Sequence, residues 1–270
     1  MSFRRSLGAA GALFLTLSAT TPASSVWVIV PEMLQTAGSG ALIAMLLAAI
    51  VGVATALVYA ELSSAFPVAG GEYVMVGHTL GPLAGFVMLA VKLVNNLLFP
   101  AVIGLGLSDV LSGVVPGLPV VPTAMAVVAV STMAAVLHIR LNAWITGAFL
   151  LVELAALAAI MWLGLTEPVR NPFAAAAGAD PVGIGLATTA AIFALNGYGL
   201  AVYFGEEMHE AATTVSRVVL AAAGLTIAVE LLPLIAVLAG APDLPALFAA
   251  SDPFGEFARA RGGAFVADLL

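Results

Sequence analysis

The sequence contains no cysteine, and charge is scarce: 9% of its 270 residues are Asp, Glu, Lys or Arg, and Lys92 is the lone lysine. Without a thiol the chain forms no disulfide, thiolate nucleophile or Cys-ligated metal centre. Eight basic residues against fifteen acidic ones give a net charge of −7 and no basic patch for nucleic acid. Also missing are a zinc-protease HExxH, the Asp-rich pairs of prenyl chemistry and a phosphate-cradling Gly-Lys loop. An intramembrane enzyme is therefore a weak reading, and no cofactor or metal is expected. What the sequence has in abundance is apolar surface, with 62% hydrophobic residues and a mean hydropathy of +1.15. Soluble domains are about a quarter charged, so this composition describes an integral, all-α membrane protein.

Seven apolar runs follow one another: Leu7 to Leu34, Ser39 to Leu62, Pro82 to Ser108, Val120 to Leu137, Ala143 to Leu165, Val182 to Gly205 and Arg217 to Ala239. An eighth starts at Ala264 and reaches the last residue, Leu270. The stretch from Ser63 to Tyr73, with Pro67 and Gly70-Gly71, predicts a turn-rich connection. Thr166 to Pro181, with three prolines, predicts a loop outside the membrane that separates a first set of five spans (1–165) from a second, incomplete set (182–270).

Two runs are interrupted. In the first, Thr20-Thr21-Pro22-Ala23-Ser24-Ser25 brings a proline that cannot donate a hydrogen bond, together with hydroxyls that can satisfy the backbone groups a break sets free. A helix over that run would rise roughly 42 Å against a hydrocarbon core of about 30 Å, which leaves length for non-helical backbone. Arg4-Arg5 followed by Leu7 to Leu17 also has the make-up of a signal peptide, but apolar sequence resumes at Val26. In the sixth run Asn196-Gly197-Tyr198-Gly199 places two glycines in a helix interior, each unfavourable by about 1 kcal/mol relative to Ala. Breaks in the first span of each of two successive halves point to an inverted-repeat transporter with its site where the repeats meet.

The stretch from Ala60 to Tyr73 (AELSSAFPVAGGEY), followed by Leu80-Gly81-Pro82-Leu83-Ala84-Gly85-Phe86, resembles the second-to-third-helix segment of amino acid permeases in the amino acid–polyamine–organocation superfamily. Phe193 to Gly199, ending in Phe204-Gly205-Glu206-Glu207-Met208, resembles their sixth helix. The resemblance implies a single transmembrane domain with a leucine-transporter-like five-plus-five fold, cut after about seven helices, and a substrate held between helices one and six. It implies a secondary transporter for amino acids or related amines, coupled to a proton or sodium ion or working by exchange. A non-transporting membrane fragment, a scaffold and a channel are the alternatives. As an amino-terminal portion of a permease, the chain is expected to insert without transporting by itself.

The half-helix starting near Ser24 would direct free N–H groups at a substrate carboxylate, and the one ending near Leu195 would offer carbonyls to an ammonium group. The expected substrate-binding set is Thr20, Thr21, Ala23, Ser24, Ser25, Asn95, Phe193, Asn196, Gly197 and Tyr198, with Asn196 as polar reader and Phe193 or Tyr198 as lid. Lys92, Asn95 and Asn96 share one face of the third helix, which cannot be the lipid face. Glu206, His209 and Glu210 have the same spacing and read as a solvated helix end rather than a metal site. Lys92, Glu153 and Glu230 fall near mid-depth, and one lysine neutralises one carboxylate. Lys92 and Glu153 are the expected coupling residues, Glu153 by taking and releasing a proton. With Arg4, Arg5, Arg140 and Arg217 on one side and Arg170, Arg259 and Arg261 in the longer connections on the other, the amino terminus is expected in the cytoplasm and the chain in the cell membrane.

Overall fold

The computed structural model describes residues 8–68, 70–115, 117–135, 139–208 and 210–269, and every regular element among them is helical. Five stretches are long and apolar enough to cross a bilayer: Ala9–Ala65, Pro82–Asp109, Ile145–Leu165, Pro181–Glu207 and Ala211–Gly240, with a shorter apolar helix at Val120–Ala134. A lipid core leaves no water to satisfy backbone groups, and helices satisfy their own. The chain is an all-helical, multi-pass membrane protein.

The first stretch, 57 residues long, would rise roughly 86 Å if straight, nearly three bilayer cores. It is divided instead. Helix α1 (Ala9–Thr20) stops at Thr21, whose φ of 43° is left-handed. Helix α2 (Pro22–Ser24) starts on a proline, at the position where a missing N–H costs least. A π turn (Ser25–Ile29) leads into α3 (Val30–Ala37). Pro31 accounts for the wide turn, since it can donate nothing to the carbonyl four residues back and its ring crowds that turn. After a 3-10 turn at Gly38–Gly40, α4 (Ala41–Ala65) returns through the bundle. The expected first and second spans are both present, but the second half-helix begins at Pro22 rather than near Ser24.

The expected connection from Ser63 to Tyr73 is shorter than its composition suggests. Helix α4 reaches Ala65, and α5 (Gly71–Leu80) starts before Tyr73, turning at Gly81 into α6 (Pro82–Val114). Then come α7 (Val120–Ala135), α8 (Ile139–Leu165), α9 (Pro172–Ala176) and α10 (Pro181–Ala194). A gap at residues 195–197 separates α10 from a 3-10 segment (Tyr198–Glu207), and α11 (Ala211–Gly240) follows. The short helices α12 (Leu244–Ala249), α13 (Pro253–Gly262) and α14 (Ala264–Leu269) complete the order. Asp180, Asp243 and Asp252 each cap a helix that has proline in its first two positions.

Helix α11 is the central post, packed on α4 and α8 and on both broken helices. The α8–α11 crossing is close: a Cβ on Gly164 would collide with the Ala236 carbonyl. One end of the bundle gathers the loop at 166–181 with the far ends of α8 and α11. There Arg170 donates to the Ala241 and Pro242 carbonyls, at 2.6 and 3.0 Å, and Arg261 donates to Glu167 O at 2.7 Å. Helices α5, α6 and α7 form a side layer, and α6 exposes Leu83, Phe86, Leu93, Leu97 and Leu98, an apolar face of the kind that lipid covers. Arg4, Arg5 and His209 lie outside the described residues, as does the Arg140 side chain.

Candidate functional site

The two breaks meet. Gly197 has a φ of 127°, and a Cβ there would lie 2.5 Å from Thr20 Cγ2. Ser25 Oγ donates to the carbonyl of Ala194, the last residue of α10, at 3.4 Å. Between them opens a cavity of about 290 Å³. Thr20, Thr21, Ser24 and Ser25 border it from the first break, and Phe193, Asn196 and Gly197 from the second. The shared face of α6 adds Lys92, Asn95 and Asn96, and the Phe99 ring stands 6.3 Å from that of Phe193.

Local bonds decide which polar atoms remain for a ligand. Thr20 Oγ1 donates to Leu17 O within its own helix at 2.8 Å, which leaves its lone pairs. Asn196 Oδ1 accepts from Gly197 N–H at 2.8 Å, so its amide NH₂ stays available. Ser24 contributes the backbone of the first turn after the break, where helix N–H groups have no partner in their own helix.

Three expected site residues do not border the cavity. Tyr198 lies away from the cavity: the turn at Gly197 sends its ring into the core, where it is 6% exposed and meets Tyr59 edge-on at 6.3 Å. Ala23 faces the opposite side of the break and donates its N–H to Glu153 Oε2 at 3.4 Å. Glu153 therefore reaches the positive end of the α2 half-helix from behind, a favourable place for a carboxylate. Phe193, 42% exposed, borders the cavity.

Lys92 has a different partner from the ones its depth suggested. Its Nζ lies 2.6 Å from Glu72 Oε2, and Glu72 also accepts from Tyr59 Oη at 2.7 Å and Tyr203 Oη at 2.8 Å. Glu72, 5% exposed, belongs to α5, inside the stretch read as a turn-rich connection. With Lys92 and Tyr203 it forms the cavity wall nearest the α4–α5 connection. Among the described residues Glu230 finds neither a cation nor a hydrogen bond of ordinary geometry: it is wholly buried on α11. Among the described residues no group of three or more His, Cys, Asp and Glu is placed to hold a metal ion. Of the expected helix-end trio, His209 lies outside the described residues, which leaves Glu206 and Glu210.

The family of amino acid permeases matches residues 7–269. Proteins named as uncharacterized transporters in Mycobacterium bovis and in Mycobacterium tuberculosis (strain H37Rv) are each 28% identical over 242 residues, covering 87% of this chain and 53% of each relative. The chain thus spans about half the length of the curated relatives it matches. With its match running through nearly every residue that builds the two breaks and the cavity between them, the chain belongs to the amino acid permease family.

Proposed function

We propose that the chain supplies the substrate site of a secondary transporter for α-amino acids, with a leucine-transporter-like inverted-repeat architecture. The observation that carries this reading is the cavity at the junction of the two broken helices. At about 290 Å³ it sits at the low end of ligand pockets, roughly 300–1,000 Å³, which suits a small solute. The N-terminal turn after Thr21 offers the Ser24 N–H and the positive end of the half-helix to a carboxylate, and the end of α10 offers carbonyl dipoles to an ammonium. The charged side chains on the wall, Glu72 and Lys92, neutralise each other. A cavity with no net charge suits a zwitterion better than a cationic amine. Asn95 and Asn196 read the polar groups, and Phe193 covers the substrate side chain. Glu153 anchors the break from behind through Ala23. Carrier rather than enzyme chemistry fits this lining, which pairs its one carboxylate and one ammonium with each other.

Equilibrium binding to the purified chain in lipid vesicles, with the twenty amino acids, putrescine and spermidine as probes, tests the proposal. Saturable binding of one or a few amino acids is expected, weakened about tenfold by Asn196→Ala through loss of one hydrogen bond. Binding of amines alone, or of no probe, would overturn it.

A further inference from the structure

Glu230 takes no part in the cavity, yet it stands directly behind it. Its carboxyl lies beside the Ser25 side chain, and neither of its oxygens makes a hydrogen bond of ordinary geometry. Thr226, one turn earlier on the same face of α11, also has a buried hydroxyl without a partner among the described residues. Ser25 borders the cavity and donates to Ala194 O, and Ala194 borders the cavity too. One serine thus touches the central post, the first break, the second break and the proposed substrate site.

Among the described residues no cation neutralises Glu230. Of the elements packed on α11, helices α1, α2 and α9 and the π turn carry no titratable side chain, and α4 has none between Ala41 and Val58. Helix α8 presents Glu153, which is turned to Ala23 N–H, and its Arg140 is about 20 Å away along the helix. In the 3-10 segment, Tyr203 is bonded to Glu72, Tyr198 packs on Tyr59, and Glu206 and Glu207 stand at the far end. The charges of α13 (Glu256, Arg259, Arg261) meet α11 near Gly240, about 15 Å along its axis, and Arg217 lies about 20 Å the other way. Lys92 is held by Glu72. An ionised carboxylate so placed is unfavourable without a counter-charge or water, whereas a neutral acid has a proton to donate and Ser25 Oγ has lone pairs to accept it.

We propose that Glu230 is the residue that carries the coupling proton, and that its protonated carboxyl completes a relay from Glu230 through Ser25 Oγ to the Ala194 carbonyl, tying α11 to both broken helices. The inference rests on the transporter reading and assigns coupling to Glu230 rather than Glu153. A proton arriving from water binds a carboxylate oxygen of Glu230. The new O–H then donates to Ser25 Oγ, while Ser25 keeps its own proton on Ala194 O. When the proton returns to water, the carboxylate left behind needs hydration. Water drawn to it competes for Ser25 and loosens the contact between the breaks. Substrate and proton then act on one residue, and each must alter the affinity for the other by the same factor.

Infrared titration of the chain in lipid vesicles, with and without sodium, tests the assignment. A C=O stretching band of a neutral carboxylic acid is expected at neutral pH in the unmodified chain and in Glu153→Gln. It should vanish in Glu230→Gln and return, shifted, in Glu230→Asp, which keeps an acid. Binding of the same amino acid panel should vary with pH by up to about tenfold per pH unit in the unmodified chain, the slope of one linked proton, and lie flat in Glu230→Gln. Ser25→Ala should keep the band and blunt the pH dependence. A band lost in Glu153→Gln but kept in Glu230→Gln, or one absent from the unmodified chain unless sodium is removed, would overturn the assignment. If the band behaves as expected while no amino acid binds, the proton site stands and the transporter reading fails.

Discussion

Gly197 shows how one residue sets the site. Its φ of 127° is open to glycine and few others, and any Cβ would press on Thr20 across the junction of the breaks. Gly197→Ala should destabilise the chain by about 1–3 kcal/mol, the usual range for forcing a side chain into such backbone. Denaturation in detergent measures this, and an unchanged midpoint would mean that the two breaks do not press together. Glu72 is the second decisive residue. Glu72→Gln keeps its shape but abolishes the ion pair, leaving Lys92 without a counter-charge at the cavity wall. Removing one partner of a fully buried pair costs about 3–5 kcal/mol; with Lys92 30% exposed, about 2–3 kcal/mol is expected. Restoring stability with Lys92→Met in the same chain would confirm that the orphaned charge is the cause. The need of Lys92 for a partner was legible in the sequence, but not the partner, because Glu72 is buried only when Tyr59, Lys92 and Tyr203 converge from α4, α6 and the 3-10 segment.

Among the elements, the two broken helices were the most legible, since Pro22 and the Gly197–Gly199 pair disrupt a helix through their own backbone chemistry. The position of the first break was less so. Thr21 is left-handed although threonine seldom is, which reflects the packing around it rather than residue preference. That shift of the half-helix start to Pro22 is what turns Ala23 toward Glu153 and leaves Ser24 and Ser25 on the cavity side. The π turn follows from Pro31, and α5 was hidden by the Pro and Gly that flank it. How tightly α8 and α11 cross is a tertiary fact carried by two glycines, Gly164 and Gly240, whose backbones face each other. Gly164→Val sets a side chain against the Ala236 backbone and should cost about 1–3 kcal/mol by overpacking, and more if the crossing cannot widen. Because Glu153 and Glu230 sit on those two helices, the same variant should lower affinity in the binding assay even though Gly164 lies far from the cavity. Full retention of both stability and affinity would show that the crossing is slack.

At the scale of the whole molecule, the order of spans and the family were legible from composition, run length and the motifs around Phe66 and Asn196. The interior arrangement of charge was not. The absence of cysteine makes the chain a clean background for single-cysteine chemistry. The same chemistry tests orientation: Val169→Cys, in the loop beside the α11 terminus, should react with an impermeant reagent from outside the cell, and Arg217→Cys only after permeabilisation. If substrate occupies the junction of the two breaks, it protects Phe193→Cys and Asn196→Cys against alkylation in lipid vesicles, with the exposed Leu98→Cys on α6 as control. An amino acid that binds the chain should slow alkylation at positions 193 and 196 in proportion to its occupancy and leave position 98 unaffected. Equal rates at positions 193 and 196 with and without a saturating amino acid would contradict occupancy of the junction.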